Sequence, residues 1–180
     1  MANAPEPDFE KPIIVNDRET LLQIQDLRRL AWSAHGEVPD FIGRQDILND
    51  EHDVNGMHWA VFHEGRPIAA ARMSIHTEVA TSPDPEAMDG YEHLVELPMA
   101  SLTRLVVAPE FRGRGLPEAL RKARIALAVQ ENCRSIVAVV EEESVMRSME
   151  AHGFVRLGQT RIRYLSYAPS IVLVKRINVE

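Results

Sequence analysis

Cysteine is almost absent from the sequence: Cys133 stands alone, so an intramolecular disulfide framework and a multi-cysteine zinc site are both excluded. Long apolar runs are absent as well, since no stretch approaches the roughly 18 apolar residues of a membrane-spanning helix. The first residues, MANAPEPDFEKP, have neither the basic start nor the apolar core of a signal peptide. We therefore expect a cytoplasmic protein with no membrane span, in which residues 1–11 form a flexible tail and residues 12–180 form a single domain.

Positive charge is scarce in the first part of the chain. Residues 1–100 contain 7 Lys or Arg against 19 Asp or Glu, whereas residues 101–180 contain 13 against 8. The net charge of −7 argues against a nucleic-acid partner. Six of the basic residues nevertheless lie between Arg104 and Arg124, which favours a local site for a small anion. The helix predicted there has an apolar stripe formed by Leu116, Leu120, Ala123 and Leu127. The basic residues Arg121, Lys122 and Arg124 lie beside this stripe.

Hydrophobic periodicity and turn residues predict a mixed α/β domain. A helix begins at Asp17, and Gly65 turns a hairpin of two strands. The most regular unit consists of a strand, a helix and a second strand. We expect the two strands to be parallel and joined through the helix by a right-handed crossover. The predicted elements cover residues 13–15, 17–34, 58–63, 67–76, 101–108, 117–131, 135–140, 144–151, 155–163 and 170–176. We expect an α/β (α+β) fold with a single mixed, mostly antiparallel twisted sheet around a central parallel β-α-β unit.

The turn between that strand and that helix carries most of the chemical information. Gly113 and Gly115 can adopt positive φ, and Arg112 and Arg114 are interleaved with them. Successive amides in such a turn point into one concavity, and the start of the following helix adds its dipole, so the turn suits a phosphate group. The glycine spacing matches neither a P-loop nor a dinucleotide fingerprint. A tight turn that needs glycine for its geometry alone is the alternative interpretation.

The run Leu105–Leu120, LVVAPEFRGRGLPEAL, resembles the acyl-CoA signature of the GNAT superfamily of N-acetyltransferases, Arg/Gln-x-x-Gly-x-Gly/Ala. His152-Gly153-Phe154 resembles the closing Gly-Phe of that family, and the order of elements fits over residues 12–178. The resemblance implies transfer of an acyl group from acetyl-CoA or another acyl-CoA to an amine of a small molecule or peptide, without a metal. It further implies a turn that binds the pyrophosphate (Arg112, Gly113, Arg114, Gly115, Leu116, Pro117) and a strand that binds the pantetheine arm (Leu105, Val106, Val107).

Two positions depart from the family pattern. The last Gly/Ala of the signature is Pro117, which has no amide hydrogen but suits the first position of a helix. The position where the family often has a tyrosine general acid is Met149, which cannot donate a proton, and an upstream asparagine is replaced by Glu142. The catalytic candidates are therefore Glu96, as a base, and Ser101. These departures leave open a non-catalytic domain that binds acyl-CoA.

A second, narrower resemblance is to the autoinducer-synthase and N-acyl-amino-acid-synthase branch of the superfamily, and it is carried by Leu27–Trp32, Asp50–Asp53 and Ser101–Val107. That branch implies a long acyl chain, delivered by acyl carrier protein as a partner. Arg104, in a central strand, needs a partner if it is buried, and a substrate carboxylate would fit. Asp50, Glu51 and Asp53 are interpreted either as ligands of a cationic amine or as an exposed acidic turn. A homodimer is left open.

Overall fold

The computed structural model describes residues 9–34, 50–160, 162 and 169–177. The strands and helices are, in chain order, β1 (Ile13–Val15), α1 (Arg18–Ser33), α2 (His52–Asn55), β2 (Met57–His63), β3 (Arg66–His76), β4 (Met99–Val107), α3 (Leu116–Gln130), β5 (Ser135–Val140), α4 (Glu143–Glu150), β6 (Val155–Gln159) and β7 (Ile171–Arg176). Three short 3-10 turns interrupt the loop between β3 and β4. None of the helices in the described ranges is long and apolar enough to cross a membrane.

The ends of the predicted elements differ little from the observed ones. The predicted strand over residues 155–163 is the largest departure, since β6 ends at Gln159. Residues 1–8 of the predicted tail lie outside the described residues. Phe9, by contrast, packs against His63 and Phe111, with ring centroids 6.1 and 6.0 Å apart, so the packed part of the chain already includes residue 9.

Seven strands form one sheet in the order β1-β2-β3-β4-β5-β7-β6. Neighbouring strands are antiparallel, apart from β4 and β5, which are parallel. A parallel pair cannot be joined by a tight hairpin, and α3 supplies the crossover between the two strands. The predicted fold class, a mostly antiparallel sheet with a central parallel β-α-β unit, is confirmed.

Helices and a loop cover opposite faces of the sheet. Successive residues of a strand point to opposite faces, and Ala69 and Ala70 of β3 accordingly belong to different apolar clusters. The cluster of Ala69 includes residues of α3 and α4, and the cluster of Ala70 includes Leu27 of α1. The loop between β3 and β4 covers the same side as α1, where Met88 packs with Val137 of β5. We call these sides the α3 face and the α1 face.

Local residues set the ends of the helices. Asp17 caps α1, because its Oδ1 accepts a hydrogen bond from the amide of Thr20 at 2.8 Å. Asn132, after α3, has a φ of 57°, a left-handed conformation that asparagine tolerates. Cys133 follows it and is buried, and burial raises the pKa of its thiol, so it is unsuited to be a nucleophile.

Candidate functional site

The parallel strands β4 and β5 separate along their length. They are paired over Met99–Ser101 and Ser135–Val137 alone. Beyond Ser101, β4 continues with β3 on one side, and beyond Val137, β5 continues with β7 on the other. The second half of β4 therefore presents a free backbone edge towards β5. Such an edge can pair with an extended ligand as an added strand would.

A bulge lies in β4 beside this opening. Arg72 of β3 is opposite Thr103, but Ala70 is opposite Val106, so β4 has one residue more than β3 between the two pairs. Arg104, within the bulge, has a φ of 55°, which is unusual for a residue other than glycine. Strained backbone of this kind clusters at functional sites, and the bulge interrupts the regular ladder between β3 and β4.

A cavity of about 270 Å³ fills the space between the two strands. Its walls are apolar along β5 and α4, where Val139, Val140, Val145 and Met149 lie, and it extends from Trp32 of α1 on one face to α3 on the other. The polar and charged residues that line it are Asp84, Ser101, Thr103, Arg104, Arg121, Arg124, Glu141 and Glu142.

The glycine-rich turn lies between β4 and α3, at the end of this cavity where Pro117 lines it. Gly113 and Gly115 have φ values of 76° and 77°. A Cβ atom at either glycine would meet nothing within 4 Å, so the space beside the turn is open. Among the described residues, no acceptor lies within hydrogen-bonding distance of the amides of Gly113, Arg114, Gly115 or Leu116. These amides and the start of α3 can bind an anion.

The two arginines of the turn have different surroundings. Arg112 donates from Nη2 to the carbonyl oxygen of Ala31 at 2.9 Å, which ties the turn to the end of α1. Arg114 is exposed, and its guanidinium lies 5.2 Å from the ring centroid of Phe111 and 5.9 Å from that of Phe9. Arg112 is exposed as well, so both cations beside the turn are accessible.

Asp50 and Asp53 do not form an exposed acidic turn, and that interpretation is wrong. Their carboxylates lie among three arginines from α1, β3 and β4: Arg28 is 2.7 Å from Asp53, Arg72 is 2.9 Å from Asp53 and also contacts Asp50, and Arg104 is 2.6 Å from Asp50. We call these five residues the Arg–Asp cluster. Burial alone would raise the pKa of Asp53, but the hydrogen bond and charge of Arg28, together with Arg72, outweigh burial and lower the pKa to about 2.

Arg104 joins this cluster to the cavity. Its Nη2 donates to Asp50, whereas its Nε is buried and has no hydrogen-bond partner. Its guanidinium lies 5.8 Å from the centroid of the Trp32 ring, a cation–π distance. Within the cluster the arginines outnumber the aspartates by three to two, and Arg104 is the arginine that lines the cavity.

A second cation lines the cavity from α3. Arg124 is 3% exposed, and it donates to two carbonyl oxygens, that of Leu120 at 3.2 Å and that of Arg72 at 3.1 Å. No carboxylate within the described residues pairs with it. Burial, and then the charge of Arg121, lower its pKa to about 9. Arg121, also buried, is paired with Glu118 and with the hydroxyl of Ser148, each at 2.8 Å.

Apolar periodicity predicts that these two arginines lie beside the buried stripe of α3, and that prediction is wrong. The buried residues of α3 are Leu116, Leu120, Arg121, Arg124 and Ala128. Ala123 and Leu127 are half-buried, so the stripe is rotated from the predicted one towards the arginines. Arg121, Arg124 and Ala128 are spaced three and four residues apart, which is the spacing of one helix face. This spacing predicts the observed stripe only if two arginines are allowed at buried positions.

The two catalytic candidates lie in different places. Ser101 is buried and lines the cavity. Glu96 does not line it: its amide donates to Ser135 Oγ at 2.8 Å, and its carboxylate is 3.8 Å from Arg176, near the start of β4. Glu141 and Glu142, just after β5, do line the cavity, and of these two the family pattern points only to Glu142. No group of three His, Cys, Asp or Glu side chains among the described residues could hold a metal ion.

Comparisons with known proteins agree with this geometry. The model of the acetyltransferase (GNAT) family matches residues 22–158. One similar solved structure is a histone acetyltransferase HPA2-related acetyltransferase from Corynebacterium glutamicum, with 16% identity over 95% of this chain and 99% of that chain and a TM-score of 0.66. A second is the N-acyl amino acid synthase FeeM from uncultured soil microbes, with 10% identity over 93% of this chain and 91% of that chain and a TM-score of 0.69. A third is the ribosomal-protein-S18-alanine N-acetyltransferase from Escherichia coli, with 15% identity over 94% of this chain and 96% of that chain and a TM-score of 0.64. At these identities the likeness shows the fold. No curated protein matches the sequence.

Proposed function

Because the chain belongs to the acetyltransferase (GNAT) family, we propose that it is an N-acyltransferase that moves an acyl group, acetyl in the simplest case, from coenzyme A to an amine of a small molecule or peptide. The observation that carries the proposal is the meeting of three features at one cavity. These are the turn with unpaired amides, the free edge of β4 and the bulge at Arg104.

The donor would bind along β4. The pyrophosphate fits the amides of Gly113–Leu116 and the start of α3, and Arg114 adds an accessible positive charge. Pro117 contributes no amide, but at the first turn of α3 it leaves no helix hydrogen bond unmade. The pantetheine arm would then pair with the backbone of Leu105–Val107, which brings the thioester towards the bulge.

The chemistry requires that the ammonium form of a primary amine loses two of its three protons and that the oxyanion is stabilised. The amine nitrogen attacks the thioester carbonyl carbon, the C–N bond forms, and the C–S bond breaks. A carboxylate beside the cavity, Glu141 or Glu142, accepts a proton from the amine and passes it to solvent; the second proton lost by the amine ends on the sulfur, which leaves as the thiol. A backbone amide of the bulge would donate to the oxyanion. Met149 lines the cavity and cannot supply a proton, so the thiol takes its proton from water or from the amine itself.

Release of free thiol from acetyl-CoA, measured with a panel of small amines and amino-terminal peptides, tests this proposal. Coenzyme binding is measured in parallel by calorimetry. Glu141→Gln and Glu142→Gln are compared with Glu96→Gln, and we expect a loss of kcat for one of the first two. A loss confined to Glu96→Gln would move the base to the start of β4. Tight coenzyme binding without thiol release for any amine would indicate a binding module, and no binding of any acyl-CoA would refute the proposal.

One observation favours a second candidate function, synthesis of a long-chain N-acyl amino acid or acyl-homoserine lactone from acyl carrier protein. Arg104 offers the surplus positive charge of the Arg–Asp cluster to the cavity, where the carboxylate of an amino-acid acceptor would pair with it. The likeness in fold to FeeM is consistent with this candidate. Acyl transfer to amino acids from acylated carrier protein, but not from the matching acyl-CoA, would support it.

A further inference from the structure

The charge of Arg124 is uncompensated within the described residues. A guanidinium that is 3% exposed normally has a carboxylate or phosphate partner, because a buried cation is costly. The acceptors of Arg124 are instead two neutral carbonyl oxygens, those of Leu120 and Arg72. Neutral acceptors satisfy the N–H groups and leave the charge itself unmatched.

The neighbouring charges do not supply the missing anion. Arg121 is a second cation on the same side of α3. The nearby carboxylate, Glu118, is already shared: it lies 2.8 Å from Arg121, 3.3 Å from Lys122 and 2.8 Å from His152. The other carboxylates that line the cavity, Asp84, Glu141 and Glu142, form no ion pair with Arg124 either, so among the described residues its charge has no anionic partner.

The position of Arg124 matches the far end of a donor bound by the turn. Arg124 lies just over two helical turns beyond Leu116, roughly 12 Å along the axis of α3. Its bond to the carbonyl of Arg72, the residue opposite Thr103, places it at the level of the bulge. Val140, Val145 and Met149 line the same cavity and give it an apolar wall. An apolar wall with the guanidinium of Arg124 beside it suits an alkyl chain that ends in an anion.

We propose that this site takes a thioester whose acyl chain ends in a carboxylate, the half-thioester of a short dicarboxylic acid, and that Arg124 binds that carboxylate. The inference rests on the acyl-transfer function proposed above and specifies its donor. The terminal carboxylate stays ionised and takes no part in bond making, so the transfer of the acyl carbon from sulfur to nitrogen is unchanged. A carboxylate has the same chemistry when an amino-acid acceptor supplies it, and the experiment must separate these two sources.

Succinyl-CoA and butyryl-CoA form the decisive pair, since both have four-carbon acyl chains and differ in a terminal carboxylate in place of a methyl group. We expect the full-length chain to bind succinyl-CoA about tenfold more tightly or better, with the same preference in kcat/KM. Arg124→Met should abolish the preference, and Arg124→Lys, which keeps the charge, should retain part of it. Lys122→Met, an exposed position on the same helix, is the matched control and should leave the preference unchanged.

Each other outcome overturns the inference. Equal binding of the two thioesters by the unmodified chain removes it, as does a preference that survives in a folded Arg124→Met variant. If Arg124→Met instead raises KM for an amino acid but not for the corresponding decarboxylated amine, the carboxylate comes from the acceptor, and the donor assignment is wrong. Binding of acetyl-CoA is measured alongside. If acetyl-CoA binds but succinyl-CoA is not preferred, the donor assignment alone is overturned. If acetyl-CoA does not bind, the proposed function is overturned as well.

Discussion

Arg28 and Asp53 form a two-pronged ion pair, in which Nη1 of the arginine lies 2.7 Å from one carboxylate oxygen and Nη2 lies 2.9 Å from the other. The pair joins α1 to α2, a helix too short to be stable by itself. Asp53 also contacts Arg72 of β3, so one carboxylate ties two helices to the sheet. Through Asp50 the same cluster reaches Arg104 at the cavity, and its integrity therefore affects both stability and the site.

Asp53→Asn should destabilise the chain strongly. The substitution removes a charge between Arg28 and Arg72, which are both buried, and breaking a buried pair on one side costs about 3–5 kcal/mol. Asp26→Asn is the matched control, because Asp26 pairs with Arg29 on the exposed side of α1 and such pairs contribute roughly 0–1 kcal/mol. The free energy of unfolding in urea measures both. Losses of equal size would show that the Arg–Asp cluster contributes no more than a surface pair.

Acid should remove part of this stability in a defined range of pH. The pKa of Asp53 falls from its ordinary 3.8 to about 2 in the folded chain, so the folded state favours the ionised form. The contribution is complete above pH ~4 and is lost as the pH falls towards 2; the shift corresponds to about 2 kcal/mol. Unfolding free energies at pH 7, 4, 3 and 2 should show this loss in the unmodified chain and a smaller loss in Asp53→Asn. Parallel pH profiles for the two proteins would contradict the assignment.

Gly113→Ala should separate the binding role of the glycine-rich turn from its backbone strain. Gly113 and Gly65 share a φ of 76°, and a Cβ atom at either would meet nothing within 4 Å. Alanine at either position should therefore cost a similar amount, about 1–2 kcal/mol. We expect coenzyme A binding to weaken about tenfold or more in Gly113→Ala, where the methyl group would occupy the ligand side of the turn, and to be unchanged in Gly65→Ala, in the β2–β3 hairpin. Equal affinities would place the pyrophosphate elsewhere.

The sequence predicted the parts of the fold that depend on local patterns. Apolar periodicity located β5 and α3, and Gly113 and Gly115 marked the turn between β4 and α3, because these features need no knowledge of distant contacts. The Arg–Asp cluster could not be predicted in this way. Its ion pairs join residues 19 to 54 positions apart, and they form because α1, α2, β3 and β4 converge on one side of the sheet.

The parts of the site that the sequence missed have a common cause. Arg104 is not glycine, so nothing local signals its left-handed backbone; the bulge follows from the offset between β3 and β4. Arg121 and Arg124 were placed outside the core because arginine is rarely buried. Glu96 was favoured as a base from its position in a long acidic loop, and the direction of β4 puts it at the opposite end of the strand from the bulge. Each of these features depends on an orientation that only tertiary structure determines.

Arg124→Met should stabilise the ligand-free chain while it removes the proposed donor preference. In the folded chain, burial lowers the pKa of Arg124 to about 9, which corresponds to a destabilisation on the order of 5 kcal/mol at neutral pH. The substitution leaves the carbonyl of Arg72 without this donor, at about 1–3 kcal/mol, so a net gain of roughly 2–4 kcal/mol remains. Thermal unfolding without ligand measures the change, and Lys122→Met should stay within about 0.5 kcal/mol of the unmodified chain. A cation kept for a ligand is expected to cost stability until the ligand binds. A loss of stability in Arg124→Met would therefore identify Arg124 as a structural residue that bridges α3 and β3.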